Sequence, residues 1–135
     1  MTHLLDTNTC VEYLRDRVGG SITSRVQAAA PGRIVLCSVV VGELLFGAYR
    51  SKNVARSLAE TRAFCNLYSS LPFDDSAAEE YGRLRAQLAG LGTPIGPNDL
   101  MIASIALANG LTLITHNRTE FSRVPNLMIE DWQVP

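Results

Sequence analysis

Apolar residues in this chain fall into short continuous runs separated by longer stretches in which they recur every three or four positions. The first run, Leu4-Leu5, lies close to the N-terminus and stops at Asp6, as a buried strand would. Residues 8–17 follow as a short helix with Val11 and Leu14 on one face, broken at Val18-Gly19-Gly20-Ser21. Residues 22–30 form a second helix, stopped by Pro31-Gly32. Ile34-Val35-Leu36 is a second strand, ending near Cys37. Ser38 then serves as N-cap of a helix over 39–49 that is apolar nearly all round, a pattern that implies burial.

Residues 52–70 are amphipathic at helical spacing, with Val54, Leu58, Phe64, Leu67 and Tyr68 as core candidates. Leu71-Pro72-Phe73 is a short extended piece. Ser76 and Glu79 make a capping box for a helix that carries Tyr81, Leu84, Leu88 and Leu91 and stops at Gly90 or Gly92. A loop over 93–97 leads to Asn98, read as the cap of a helix over 99–109, with Gly110 in the stop position. Strands follow at 111–115 and 127–129. Strand and helix alternating in this way predict an α/β fold, an α/β/α sandwich with a mainly parallel central sheet, in which ligands sit outside the carboxyl ends of the strands. With no repeats or linkers, residues 1–135 make a single domain.

Composition changes the picture in three ways. Hydrophobic residues are 47% and charged residues 19%, enough apolar material for a real core and too little charge for a disordered chain. The net charge of −1 excludes a generally basic nucleic-acid coat, so any grip on phosphate must be local. The cations are Arg with the sole exception of Lys52, which confines any lysine-dependent chemistry to that position. The three cysteines, Cys10, Cys37 and Cys65, are widely spaced and form no zinc pattern, which fits reduced thiols in a cytoplasmic protein. No signal peptide is expected at the N-terminus, and no apolar stretch approaches the ~20 residues of a membrane span.

Most of the acids belong to helix surfaces, but three stand out. Asp6 ends an apolar strand, where it is either an N-cap or a ligand-edge carboxylate. Glu43 sits within Val39-Val40-Val41-Gly42-Glu43-Leu44-Leu45-Phe46, where an unpartnered buried carboxylate would be costly. Asp99 opens a helix after Gly96-Pro97-Asn98, either as a first-turn acid or as part of a site. All three fall on the expected ligand side. Carboxylates converging there need a neutralising cation, and hard oxygen donors suit Mg²⁺ or Mn²⁺. The strand over 111–115 then runs into His116-Asn117-Arg118-Thr119-Glu120, which adds Glu120 either as a fourth acid or as a surface helix residue. His116 reads as a surface or hydrogen-bonded histidine.

Leu4-Leu5-Asp6-Thr7-Asn8, Glu43-Leu44-Leu45-Phe46-Gly47-Ala48, Pro97-Asn98-Asp99-Leu100-Met101-Ile102-Ala103 and Leu113-Ile114-Thr115-His116-Asn117 resemble, in order, the signature blocks of the PIN domain. The chain is similar more narrowly to VapC-type toxin ribonucleases of bacterial toxin–antitoxin pairs, and the stretch from Arg118 to Trp132 shares that resemblance. The resemblance implies a metal-dependent endoribonuclease. Asp6, Glu43 and Asp99 match the family's acidic positions for Mg²⁺ or Mn²⁺. Where many relatives carry a further acid after the fourth strand this chain has Asn117, so Glu120 is the better match for it.

The resemblance also implies RNA as substrate, often structured RNA such as tRNA, together with homodimer formation. A VapB antitoxin would place a C-terminal segment in the active-site groove, frequently with an Arg against the carboxylates. In the implied chemistry a metal-activated water attacks phosphorus in line, leaving 5′-phosphate and 3′-hydroxyl ends. Thr7 and Thr115 would orient ligands by hydrogen bonds, with Asn8, Asn117 and Arg118 beside them to position substrate. Large apolar residues on the helices over 52–71 and 81–91 exceed what so small a sheet covers, which also predicts a homodimer. Two other classes remain: a PIN-like protein-interaction module without catalysis, and a phosphotransfer enzyme using Asp6 as nucleophile, against which Lys52 falls in a predicted helix and not after a later strand.

Overall fold

Among the described residues five strands form one parallel sheet: β1 (His3–Leu5), β2 (Ile34–Cys37), β3 (Ser69–Leu71), β4 (Thr112–Ile114) and β5 (Met128–Glu130), in the order β3-β2-β1-β4-β5. The structure is a computed structural model that describes residues 2–15 and 20–134. The inner strands β2 and β4 are buried along their whole length, as they must be when helices cover both faces of a parallel sheet. Seven helices lie among the described residues: α1 (Thr7–Arg15), α2 (Ser21–Ala28), α3 (Ser38–Tyr49), α4 (Val54–Cys65), α5 (Asp75–Gly90), α6 (Pro97–Ala108) and α7 (Arg118–Phe121). The break expected around Val18-Gly19 and the end of the first helix at Arg17 lie outside the described residues.

Strand order decides where a ligand can sit. The chain builds outward from β1 to β2 and β3, then returns to the other side of β1 for β4 and β5. The order therefore reverses between β1 and β4, and the crevice beyond their carboxyl ends is the expected binding position. Asp6 follows β1 there and Thr115 follows β4, with the Asp6 N–H donating to the Ile114 carbonyl at 3.0 Å.

Several sequence expectations shift. The helix expected over 52–70 ends at Cys65, and Ser69–Leu71 pairs with β2 as an edge strand. Three residues are then freed to cross from helix to sheet, which leaves Leu67 71% exposed. Val54 and Leu91, also read as apolar-face residues, are exposed too. The Ser76–Glu79 box is replaced by Asp74, whose carboxylate accepts from the Ala77 N–H at 3.0 Å and which caps α5 two residues before Ser76. Ser38 does not cap α3; Cys37 holds the N-cap position and the Ser38 hydroxyl donates to the Leu71 carbonyl. The stretch 71–73 contributes only Leu71 to a strand, and the last strand is displaced by one residue.

Burial of α3 is also one-sided. Val40, Leu44 and Ala48, spaced by four, face the core, whereas Phe46 and Tyr49 are 61% and 58% exposed. Arg50 lies over the Phe46 ring, and an Arg62 N–H donates to the Tyr49 hydroxyl at 3.4 Å. Glycine stops α5 and α6 as expected. Gly110, at φ 63°, is the left-handed residue after α6, and the Leu111 N–H donates to the Ala106 carbonyl at 2.9 Å, closing the Schellman pattern.

Candidate active site

The β1–α1 turn positions Asp6. Its carboxylate accepts from the Thr9 N–H at 2.8 Å, so it caps α1, and it also accepts from the Thr115 hydroxyl across the switch point. It is only 4% exposed. Burial pushes its carboxyl above the ordinary range, the bonds from Thr115 and Thr9 oppose that, and Glu43 raises it further. Thr9, buried beneath, donates its hydroxyl to the Ile114 carbonyl at 3.1 Å and ties the turn to β4.

Glu43 projects from the first half of α3 and is half-buried. The apolar surroundings that made it conspicuous are relieved by two partners from other elements. The Thr7 hydroxyl, at the start of α1, donates to Oε1, and the Asn98 amide, in the first turn of α6, donates to Oε2 at 3.2 Å. Asn98 is therefore not the cap of α6. Gly96 occupies the N-cap position and Pro97 follows as the first helical residue, where its missing N–H costs nothing. Pro97 thus frees Asn98 to reach Glu43 and sets Asp99 in the first turn.

Asp99 registers the whole cluster. Its carboxyl is pushed up to about 6, first by burial and then by the charges of Glu120, Asp6 and Glu43. Glu120 is held at the rim: Oε1 accepts from the Gly96 N–H at 2.8 Å and Oε2 from the Asn117 amide at 2.9 Å. Asn117 is fixed in turn by its own N–H on the Thr115 hydroxyl, 3.0 Å away. Glu120 and Asn117, alternatives in the sequence, are thus partners in one arrangement. The predicted residues Asp6, Thr7, Glu43, Asp99, Thr115, Asn117 and Glu120 come together at the carboxyl end of the sheet.

Four others stand apart from this network. Asn8 is exposed on α1 while the bonds run through Thr7 and Thr9. Arg118 is exposed at the start of α7. His116 turns to the buried Asp131, its Nδ1 2.8 Å from Oδ2. Lys52 lies exposed in the turn after α3, the opposite end of that helix from Glu43. Sequence reasoning missed Asn98 and Thr9 as site residues. Asn98 had a signal, since a residue following Gly-Pro at a helix start cannot also be the cap once proline takes the first helical position.

The donor set is all oxygen and mostly anionic, which suits a hard divalent cation. Among the described residues no three His, Cys, Asp or Glu side chains are gathered into a ready-made cage. Mg²⁺ does not require one, because it retains several waters and is held by one or two carboxylates together with substrate phosphate. An open acidic crevice in which the Asp6 and Asp99 carboxyls are pushed up fits that mode.

The PIN-domain pattern matches residues 3–127. The chain belongs to the PIN-domain family. Within that family it is 38% identical to the tRNA(fMet)-specific endonuclease VapC of Salmonella typhimurium, over 96% of both chains, and 35% identical to ribonuclease VapC2 of Rickettsia felis, over 98% of both. Its fold superimposes with a TM-score of 0.92 on a chain from the DNA-bound VapBC crystal structure of Salmonella typhimurium, at 38% identity and 98% coverage of each chain. These similarities, to VapC ribonucleases in sequence and to a VapBC complex in structure, cover nearly the whole chain.

Proposed function

We propose that this chain is an endoribonuclease, the toxin of a VapBC-type pair, and that it hydrolyses RNA phosphodiester bonds with Mg²⁺ or Mn²⁺ held by Asp6, Asp99 and Glu43. The observation that carries the reading is the meeting of Asp6, Glu43, Asp99 and Glu120 at the topological switch point, where burial and the other three charges push the Asp99 carboxyl up. Such a cation, when bound, supplies Lewis acidity toward the phosphate and charge to offset the carboxylates. The chain's own residues do the positioning. Thr115 holds the Asp6 carboxylate, Thr7 and Asn98 hold that of Glu43, and Asn117 with the Gly96 N–H holds Glu120. A carboxylate fixed in this way needs no reordering when RNA arrives. The tRNA specificity in the name of the Salmonella relative makes tRNA the first substrate to try.

A cognate VapB antitoxin is the expected partner. An apolar groove of about 1040 Å³ runs from Glu43 between α1, α3 and α4, with Val11, Leu14, Leu44, Phe64 and Leu67 among its walls. Its length and apolar lining suit a bound peptide segment whose end reaches the carboxylates. A cytoplasmic location fits the RNA substrate and the free thiols of Cys10, Cys37 and Cys65. Among the described residues no helix is long and apolar enough to cross a membrane.

The test uses purified protein freed of antitoxin and a pool of tRNA and other structured RNA. Cleavage is expected with Mg²⁺ or Mn²⁺, abolished by excess EDTA, restored by added cation and lost in Asp99→Asn. Undiminished cutting by Asp99→Asn, or by wild type in EDTA, would overturn the mechanism. Absence of any cutting under all conditions would favour the protein-interaction reading.

A further inference from the structure

Between α5 and the loop that leads into α6 lies a cavity of about 300 Å³, with Tyr81, Arg85, Leu88, Ile95, Pro97 and Leu100 among its walls. It is joined to the acidic cluster through the start of α6. Pro97 lines it, and the residues on either side of Pro97 reach the cluster: the Gly96 N–H bonds Glu120 and the Asn98 amide bonds Glu43. Leu88 and Leu100 are buried and give it an apolar interior. The Tyr81 ring stands edge-on to Phe73, with centroids 5.7 Å apart. The Tyr81 hydroxyl accepts from Arg85 at 3.0 Å, and that guanidinium lies 5.9 Å from the ring centroid. On the loop side an Arg123 N–H donates to the carbonyl of Pro94, another wall residue, at 3.1 Å.

We propose that this cavity receives one unstacked nucleobase of the RNA, adjacent to the phosphate engaged at the carboxylates. The proposal rests on the ribonuclease reading and adds a specificity subsite to it. Three features select the occupant. A cavity of about 300 Å³ admits a single flat ring and excludes a helix or a peptide strand. Its apolar walls, aromatic ring and guanidinium are the surfaces against which unpaired bases stack. Finally, the acidic cluster repels a polyanion, so the backbone beside it needs cations. Arg85 supplies one from the cavity wall, and Arg123, bonded to the Pro94 carbonyl, stands beside the loop side. The base would then be read by shape and stacking, and the phosphate held in register with the carboxylates.

The experiment measures binding without cleavage. Wild-type protein is titrated with a short 2′-O-methyl oligoribonucleotide, which is not cut, while methyl NMR follows Leu88, Ile95 and Leu100. Those resonances are expected to move, and Tyr81→Leu and Arg85→Gln are each expected to weaken binding about tenfold. With an oligonucleotide in which the base in question is abasic, wild type and Tyr81→Leu should bind alike, and Arg85→Gln should show a smaller loss, that of its phosphate contact alone. Arg85 is exposed, so Arg85→Gln tests the site even if Tyr81→Leu disturbs packing against Phe73. Unmoved cavity methyls, or unchanged affinity in Arg85→Gln, would overturn the proposal. So would cavity methyls that respond to protein concentration instead of RNA, since a second copy of the chain would then occupy the cavity. Cutting by Asp99→Asn would sink the metal mechanism and leave this binding result standing, so the two failures are distinguishable.

Discussion

Asp6 has two roles, and both readings of it in the sequence hold together. It caps α1 through the Thr9 N–H and stands at the switch point under the Thr115 hydroxyl. Asp99 carries the clearer energetic signature. Its carboxyl titrates near 6 in the folded chain, above the ~4 of an unfolded one. The folded state therefore binds more protons between those values, so cation-free stability falls as pH rises from about 4 to about 6 and stays lower above that. Asp6, raised in the same direction, adds to the trend. Because Asp99 is partly exposed, solvent screening reduces the effect to about 1 kcal/mol. In EDTA at pH 7.5 the Asp99→Asn variant is expected to melt ~3–5 °C higher than wild type, with the gap closing near pH 4.5. Thermal melts at the two pH values check this. A variant less stable than wild type at pH 7.5 would show that Asp99 is not under repulsion.

Helix α6 illustrates how element boundaries serve the site. Gly96 and Pro97 begin it so that Asn98 and Asp99 emerge in the first turn, and Gly110 ends it in the left-handed conformation. Nothing lies within 4 Å of where a Gly110 Cβ would stand, so the penalty for a side chain there is conformational and not steric. Gly110→Ala is expected to cost about 1 kcal/mol in urea unfolding, through the φ requirement alone. RNA cleavage at a permissive temperature should be unchanged, because the acidic end of α6 is untouched. Lost cleavage with unaltered stability would mean that the two ends of the helix are coupled in a way the hydrogen bonds do not explain.

At the level of the whole molecule, the apolar surface left uncovered is substantial for a chain of 135 residues. Phe46 and Tyr49, three apart on α3, share one exposed face, and Val54 and Leu91 add to the exposed apolar area. A homodimer is the expected assembly, a two-fold pairing that removes such surface from water. Light scattering of the antitoxin-free protein should give twice the 14.7 kDa chain mass at micromolar concentration. Phe46→Asp should shift that mass toward the monomer without loss of helix signal. A wild-type monomer across that range would refute the assembly.

Periodicity and punctuation made most of the elements legible. Short apolar runs marked β1, β2 and β4, and Pro or Gly marked the ends of α2, α5 and α6, because these signals act within a few residues of backbone. The signature blocks likewise pointed to Asp6, Glu43 and Asp99 before any contact was known. Other features required the assembled sheet. β3 is polar and short, and it becomes a strand only because β2 offers an unpaired edge, so nothing local distinguished it from the end of α4. Asp74 replaced Ser76 as cap because cap choice depends on where the chain enters the helix from the sheet. The partners of Glu43 come from α1 and α6, with Asn98 separated from it by 55 positions, and Glu120 meets Gly96 across 24. Side-chain hydrogen bonds over such distances follow from the order β3-β2-β1-β4-β5, which places the ends of β1 and β4 side by side. The sequence by itself singled out Asp6, Glu43 and Asp99 as acids out of place, with Glu120 as a candidate fourth; the tertiary structure decided that they meet, because only a strand order that reverses beside β1 opens a crevice at their common end.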